Sequence, residues 1–257
     1  MIITILLILG LITGSFISAL SSRLEKPKTM IADRSRCTKC KHQLGFWDLF
    51  PIFSYLFLQG KCRYCKKPIS PRYPLLEIFT TLVFILPAIL TPDIELYQLI
   101  LYLLISIILI SIFIIDFETM YIPDYLAYTG IFVALAWAVL QYTVEGQNYL
   151  YLLLGPLIGG GIFLILVLAS REKWMGGGDI WIGVILGLLL AYPLIIVNLF
   201  LSFIIGGIIG LVLLLLKKAK RKTEIPMGPF LILGFYIAYF WGQQILDWYL
   251  SYTFLNI

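Results

Sequence analysis

Uncharged apolar stretches of about 20 residues recur along this chain and constrain its fold more than any other feature. Each residue of an α-helix rises about 1.5 Å, so about 20 residues cross the roughly 30 Å hydrocarbon core of a bilayer. With 61% hydrophobic and only 13% charged residues, the chain has too little polar surface to cover a water-soluble globule. We therefore predict an integral membrane protein. The clearest membrane-spanning stretches are residues 2–20, 96–115, 125–143, 148–169 and 225–246.

Two further stretches complete the set of spans. Residues 180–216 form an uncharged run that is too long for one crossing, and the sequence Ala-Tyr-Pro at 191–193 lies near its middle. We interpret this run as two short spans joined by a tight turn. Residues 75–90 are the weakest candidate, since the stretch is short and Glu77 lies near its start. A span there is nevertheless needed to place all basic loops on the same side of the membrane. The prediction is an all-α membrane protein of about eight transmembrane helices.

The basic residues orient these spans, because Lys and Arg accumulate in cytoplasmic loops. All 19 of them fall in three regions: twelve between Arg23 and Arg72, two at positions 171 and 173, and five between Lys217 and Lys222. With eight spans, the three regions lie on one side, so both termini are predicted to face outward. The first span lacks a positive n-region and a convincing cleavage site, so we expect it to be a retained anchor. The predicted divisions are a first transmembrane helix (1–20), a cytoplasmic loop (21–74) and a seven-helix transmembrane core (75–257).

The first loop carries twelve basic and three acidic residues, a net charge of +9. Such a surface favours anionic lipid headgroups, although the charge rule for cytoplasmic loops also explains it. All four cysteines of the chain lie in this loop, as two CxxC pairs: Cys37 with Cys40, and Cys62 with Cys65. This spacing suits a tetrahedral Zn²⁺, whereas disulfides are disfavoured in the reducing cytoplasm. Four cysteine ligands leave no open position, so the predicted zinc is structural, with His42 as an alternative ligand.

Two aspartates mark the ends of apolar spans, where ionisable residues are costly and point to function. Asp116 closes the third span, and Asp179 opens the sixth. The two helices run in opposite directions, so both side chains are expected at the same depth, near the cytoplasmic interface. Two carboxylates that share a proton perform aspartyl protease chemistry, because one accepts a proton from water while the other donates to the scissile carbonyl oxygen. We predict that Asp116 and Asp179 are the catalytic pair.

Neighbouring residues are predicted to support this pair. Gly176, Gly177 and Gly178 precede Asp179 and leave room for a close backbone approach by a partner helix or an extended substrate. The segment from Asp116 to Asp124 is predicted to be an acidic cytoplasmic turn, in which Asp124 most simply caps the next helix. Two other classes of function stay open on this evidence: a proton- or cation-coupled transporter that uses the same carboxylates, and a membrane scaffold whose zinc loop binds a partner.

The order of motifs resembles one family along essentially the whole chain, the type IV prepilin peptidases of the GxGD group of bacterial aspartyl proteases. Each matching motif is weak alone, and the set is specific. The matches are Gly14-Ser15-Phe16 followed by Arg23, the two CxxC pairs, Pro71-Arg72-Tyr73-Pro74-Leu75-Leu76-Glu77, Ile115-Asp116, Ile122-Pro123-Asp124, Gly176-Gly177-Gly178-Asp179, and Ile225-Pro226-Met227-Gly228-Pro229-Phe230. The departure from the family pattern is Met227, which stands where an aromatic residue is common.

The resemblance implies an enzyme of the bacterial plasma membrane that removes the basic leader of prepilins or pseudopilins at a Gly–Phe-type bond on the cytoplasmic face. It also implies methylation of the new N-terminal amine with S-adenosylmethionine, to which Glu77 and the zinc-bearing loop are the expected contributors. A helix-start position for Glu77, in the first turn after Pro74, explains this acid equally well. The chain has no glycine-rich nucleotide loop, so residues that bind S-adenosylmethionine are not assigned. Expected partners are prepilins or pseudopilins and membrane lipids, with no nucleic acid.

Overall fold

The fold is that of a computed structural model, which describes residues 2–21, 35–171, 175–218, 223 and 225–254. Several basic residues used above to orient the spans lie outside these ranges, as does Arg23 of the family motif. The basic residues outside the described ranges are Arg23, Lys26, Lys28, Arg34, Lys173, Lys220, Arg221 and Lys222.

Helices account for nearly all of the regular structure in the described part of the chain. A 3-10 turn at Phe46–Asp48 and two isolated antiparallel bridges, Arg36 with Gln43 and Lys61 with Pro68, are the other regular features of the first loop. The helices are α1 (Ile2–Ser21), α2 (Phe53–Phe57), α3 (Arg72–Leu90), α4 (Leu96–Thr119), α5 (Asp124–Thr143), α6 (Tyr149–Ser170), α7 (Gly178–Leu190), α8 (Leu194–Leu215) and α9 (Gly228–Phe254).

Seven of these helices are long and apolar enough to cross a membrane, and α7 is a shorter apolar helix of 13 residues. The predicted all-α membrane fold of about eight helices is confirmed. The long run at 180–216 divides at the turn 191–193 as expected, but only its first half is short, because α8 has 22 residues. The predicted acidic turn from Asp116 to Asp124 is wrong: the third span continues to Thr119, the next helix begins at Asp124, and the turn at 120–123 contains no acidic residue.

The chain divides into two compact units, Met1–Ile107 and Ile108–Ile257. In the first unit, α1 packs closely against α3, since Gly10 and Gly14 let the two backbones approach. A Cβ atom at Gly10 would lie 2.6 Å from Thr81 Cα, and one at Gly14 would lie 2.7 Å from Glu77 Cα. The Arg72 guanidinium donates to Ser21 Oγ at 2.6 Å, so the last residue of α1 and the first of α3 lie at the same level.

In the second unit the short helix α7 is central, with contacts to α5, α6, α8 and α9. Its closest partner is α6. Two pairs of glycines face each other where the helices cross: Gly155 with Gly187, and Gly159 with Gly183. In both pairs, a Cβ on one glycine would collide with the carbonyl group of the other. Small residues spaced four apart allow this close packing of helix backbones in a membrane. The short helix α7 is therefore held against α6 along its middle and C-terminal half.

Candidate functional site

Asp116 lies in the last full turn of α4, where its side chain is only 5% exposed. Its Oδ2 accepts a hydrogen bond of 3.1 Å from the backbone N–H of Gly228, the first residue of α9. A carboxylate at the end of an apolar helix is costly unless such donors reach it. The first residue of the last helix thus holds one of the two predicted catalytic groups.

Asp179 is the second residue of α7 and is 8% exposed. Its place at a helix N-terminus, as predicted, puts its charge near the positive end of the helix dipole. The Asp116 charge acts on the Asp179 carboxyl group, and no basic side chain in the described part of the chain forms an ion pair with either acid. The two acids are therefore buried within electrostatic reach of one another, with no neutralising cation in the described part of the chain.

Contacts around these acids join three chain segments that are far apart in sequence. A Cβ atom at Gly228 would lie 2.5 Å from Asp116 Oδ2 and 3.0 Å from Cδ1 of Ile182, which lies one turn after Asp179 on α7. A Cβ at Gly178 would lie 2.8 Å from Cδ1 of Ile122, in the turn after α4. The end of α4, the start of α7 and the start of α9 therefore meet at one place.

The three glycines before Asp179 do not serve one purpose. Only Gly178 is at a close approach, against Ile122. Gly176 and Gly177 are exposed, and no other residue lies within 4 Å of where a Cβ would stand. The backbone beside Asp179 is therefore open on the side where an extended peptide could lie.

The other acids of this region are exposed. Glu118 lies in the last turn of α4, and Asp124 is the first residue of α5, after the cap position occupied by Pro123. The predicted N-cap role of Asp124 is wrong, because the proline takes the extended conformation of the cap and the acid enters the helix. An acid in the first turn still interacts favourably with the helix dipole.

Gly228 is the residue of this site that was not among the predicted site residues. Glycine has no side-chain chemistry, so composition and charge give no signal for it. Its one signal in the sequence is its place in the Pro-x-Gly-Pro segment at 226–229, one of the motifs that match the family. In the structure, the Gly228 amide donates to Asp116. The absence of a side chain at Gly228 also leaves the space that the Asp116 carboxylate occupies.

The four cysteines of the first loop come together. One ligand atom from each of Cys37, Cys40, Cys62 and Cys65 lies within 4.8 Å of all the others, and the sulfur atoms of Cys37 and Cys65 are 3.9 Å apart. Zn–S bonds of about 2.3 Å in a tetrahedron put the sulfur atoms about 3.8 Å from one another, so the cluster fits a tetrahedral metal site. The backbone N–H of Cys40 contributes most to lowering the pKa of the Cys37 thiol, to about 6, which favours the thiolate that binds metals.

The two CxxC segments adopt the same turn. In the first, the amides of Cys37 and Lys41 donate to the carbonyl groups of His42 and Cys37; in the second, those of Cys62 and Lys66 donate to Lys67 and Cys62. Lys41 and Lys66 both have a positive φ, of 61° and 57°. The two turns are hereafter called the knuckles (35–44 and 60–69). The His42 ring contacts the Tyr64 ring, with 3.7 Å between centroids, and is not one of the clustered ligands.

Glu77 is buried in the first unit, with 7% of its surface exposed. It is the sixth residue of α3, which begins at Arg72, so the expected place in the first turn is wrong. Its Oε2 accepts the Ile52 N–H at 2.7 Å, and the Ser15 side chain also hydrogen-bonds to it. Glu77 lines a groove of about 1760 Å³ between α1, the first loop and the start of α3, together with Ser15, Tyr55 and Tyr73.

Comparison with known proteins covers both units. Residues 8–91 match the Bacterial Peptidase A24 N-terminal domain, which takes in the four cysteines and Glu77. Residues 103–211 match the Type IV leader peptidase family, which takes in both aspartates. No solved structure matches the chain significantly.

Several relatives carry the name prepilin leader peptidase/N-methyltransferase, among them the following three. The one from Aeromonas salmonicida (strain A449) is 32% identical over 224 residues, covering 86% of this chain and 76% of the relative. The one from Bacillus subtilis (strain 168) is 30% identical over 250 residues, covering 97% and 98%. The one from Legionella pneumophila is 33% identical over 241 residues, covering 90% and 80%. This chain therefore belongs to the type IV leader peptidase family.

Proposed function

We propose that this protein is a membrane-embedded leader peptidase in which Asp116 and Asp179 cut prepilins or pseudopilins, and that it methylates the new N-terminus. The observation that carries the proposal is that two buried carboxylates lie where the end of α4 meets the start of α7, with no cation beside them in the described part of the chain. Membership of the family and the name of its relatives supply the substrate class and the second activity.

The two acids would divide the work as in other aspartyl proteases. One carboxylate takes a proton from a water molecule, whose oxygen attacks the scissile carbonyl carbon, while the protonated acid donates to the carbonyl oxygen. The resulting tetrahedral species breaks its C–N bond as a proton passes to the leaving amine. The Gly228 amide orients Asp116 through Oδ2 and leaves its other oxygen for the water or the partner acid.

The backbone around Asp179 suits an extended substrate. Open space at Gly176 and Gly177 would let a peptide strand lie against the chain at the entrance to the catalytic pair. Exposed Glu118 and Asp124 would attract a basic leader to the same end of the helices. The apolar part of the substrate would remain in the bilayer, with its junction at the depth of the acids.

The proposed orientation follows from the loop charges: both termini outside, with the zinc loop (21–74) and the aspartates at the cytoplasmic face of the bacterial plasma membrane. The proteolytic chemistry is then assigned to the core (75–257). Zn²⁺ would be held by Cys37, Cys40, Cys62 and Cys65 as a closed structural site, and it would order the loop rather than take part in cleavage.

The methyl transfer is assigned to the first unit. S-adenosylmethionine, when bound, would supply the methyl group that the new N-terminal amine receives. The groove beside Glu77 is large enough for such a ligand, since ligand pockets commonly measure about 300–1,000 Å³. A carboxylate in this groove could hold an ammonium group and accept its proton, which the amine must lose to become a nucleophile. Glu77 is the buried acid in that position.

The test is leader cleavage by purified, vesicle-reconstituted protein, with the mass of the product measured after incubation with a prepilin and S-adenosylmethionine. Asp116→Asn and Asp179→Asn should each reduce the cleavage rate at least about 100-fold, because each removes a general acid or base. Asp93→Asn makes the same change at an exposed site and should leave the rate unchanged. Cleavage at the normal rate by either catalytic variant would overturn the proposal.

A further inference from the structure

The segment between the two knuckles exposes an unusual amount of apolar surface. Within residues 46–57, hereafter the aromatic segment, Phe46 is 75% exposed, Trp47 74% and Phe57 84%. Four more large apolar side chains are exposed beside them: Leu49, Phe50, Phe53 and Leu56. Single exposed apolar residues are common on proteins, whereas a cluster of seven in twelve residues marks an interaction surface.

The aromatic segment contains one charged residue, Asp48, and that charge is neutralised. Arg63 Nε donates to Asp48 Oδ1 at 2.6 Å, while Tyr64 Oη and the Gly45 amide each donate to Oδ2 at 3.1 Å. Burial raises the pKa of Asp48, but these hydrogen bonds outweigh it and hold the pKa below its usual value. Arg63 and Tyr64 come from the second knuckle and Gly45 directly precedes the segment, so the charge of Asp48 is paired and the segment presents no net charge.

Contacts within the first unit fix the depth of this segment relative to the membrane helices. The hydrogen bond from Arg72 to Ser21 marks the level at which α1 ends and α3 begins. Ile52, in the middle of the aromatic segment, donates its amide to Glu77, which is five residues further along α3. At about 1.5 Å per residue, this contact lies roughly 8 Å inside the ends of the two membrane helices.

The contact to Glu77 constrains the backbone of the segment. Ile52 has a φ of 59°, a conformation that β-branched residues rarely adopt. The partly buried hydrogen bond to Glu77, at 2.7 Å, holds it there, directly before α2. Such a conformation persists only where the surrounding structure determines it. The position of the segment beside the membrane helices is therefore a built feature of the first unit.

We propose that the aromatic segment is an interfacial membrane anchor, which inserts its exposed side chains into the boundary between headgroups and acyl chains of the bilayer that α1 and α3 cross. Aromatic residues prefer this boundary, and apolar faces of interfacial segments enter it by about 5–10 Å, which matches the depth above. Exposed Lys39, Lys41, Lys61, Lys66 and Lys67 on the knuckles would face anionic headgroups. The proposal does not depend on the peptidase activity.

The experiment uses the full chain in vesicles of phosphatidylglycerol and phosphatidylethanolamine that contain a lipid with a diazirine on its acyl chain. After irradiation, mass spectrometry of peptides locates the lipid adducts. We expect adducts within residues 46–57 and none on the knuckles. Phe132, a 73% exposed residue of the membrane helix α5, is the internal positive control. The variant Phe46→Ser, Phe57→Ser should lose labelling of the segment and keep labelling at Phe132.

Adducts at Phe132 without any in the aromatic segment would overturn the proposal. So would disappearance of the lipid adducts from the segment when more copies of the chain, or a prepilin, are added to the vesicles, because protein and not lipid would then cover this surface. Equal labelling of the knuckles would also contradict it, because the segment would then have no preference for the bilayer. Since the first measurement uses the unaltered chain, none of these outcomes depends on whether a variant folds.

Discussion

Gly228 shows how much a residue without a side chain can determine. Its amide holds Asp116, and a methyl group at this position would lie 2.5 Å from the Oδ2 atom of that carboxylate. We expect Gly228→Ala to displace Asp116 and lower kcat for leader cleavage, by up to about 100-fold, since a misplacement of about 1 Å can cost that much. KM for the prepilin should change little, because the apolar part of the substrate binds elsewhere.

The matched control for this change is Gly242→Ala on the same helix. A methyl group there would meet only carbon atoms of Leu194 and Ala238, the nearest at 3.2 Å. It should leave kcat close to that of the unaltered chain. If Gly228→Ala raises KM while kcat is retained, or if Gly242→Ala is equally harmful, the glycine does not position the acid.

Glu77 allows the two activities to be separated. Replacement by Gln keeps the size of the side chain and its acceptor oxygen for the Ile52 amide, but removes the negative charge and the capacity to accept a proton. We expect Glu77→Gln to release the leader at a normal rate and to yield a product without the added methyl group. Product mass measures both outcomes in one reaction. A methylated product at the normal rate would remove Glu77 from the transfer.

The two acids that we propose as catalytic stand out in the sequence because a charge in an apolar segment is rare and costly. Asp116 and Asp179 stand out on that ground, and the opposite directions of their helices place them at one level. Gly228 carries no comparable signal. The cap at Pro123 was missed because Asp124 is the better cap by composition, whereas Pro123 takes the extended ψ of 129° that places it outside the helix.

At the level of elements, α7 is the helix on which the site depends. It has only 13 residues, and its backbone touches that of α6 at Gly183 and Gly187. We expect Gly159→Ala to force the two helices apart, because the new methyl group would collide with the Gly183 carbonyl. Overpacking of this kind costs about 1–3 kcal/mol. Both the thermal stability in detergent and the rate of leader cleavage should fall, since Asp179 moves with α7.

Gly161, two residues after Gly159 on α6, provides the control. A methyl group at this position has open space, with no other residue within 4 Å. Gly161→Ala should therefore keep the stability and the activity, and the better helix propensity of alanine should even raise stability slightly. Equal losses in both variants would mean that the effect comes from helix propensity or from lipid contact instead of the crossing with α7.

Helix lengths were predicted well where the apolar runs had clear ends and poorly where polar residues continue a helix. The run at 180–216 divides at its proline, as expected. In contrast, α3 begins at Arg72 and α4 ends at Thr119, because charged and polar residues continue the helix past the apolar boundary. The five-residue α2 has no periodic signal at all, and its exposed aromatic side chains gave no indication of a helix in the loop.

For the whole molecule, the predicted topology gave the depth of the two acids but not their neighbours. Charge parity across eight spans depends only on the order of segments along the chain. Which helices touch is decided by side-chain shape, such as the glycine pairs of α6 and α7 or Ile122 against Gly178. The grouping of four cysteines was predictable, since two CxxC pairs have the spacing of ligands to one metal ion.

The proposed assignment of methylation to the first unit and proteolysis to the second leads to a last prediction, on the removal of zinc. The four cysteines and Glu77 belong to the first unit, while Asp116, Asp179 and Gly228 belong to the second. Structural zinc often contributes on the order of 10 kcal/mol to the folding of a small domain, so its removal should disorder the knuckles and the groove that they help to line.

A strong chelator should therefore release one zinc and four reactive thiols per chain and abolish methylation. Cleavage of the leader should persist at a reduced rate, and added zinc should restore methylation. Metal analysis, thiol titration and product mass check these steps, and normal methylation by the metal-free chain would show that the zinc does not support the transfer site.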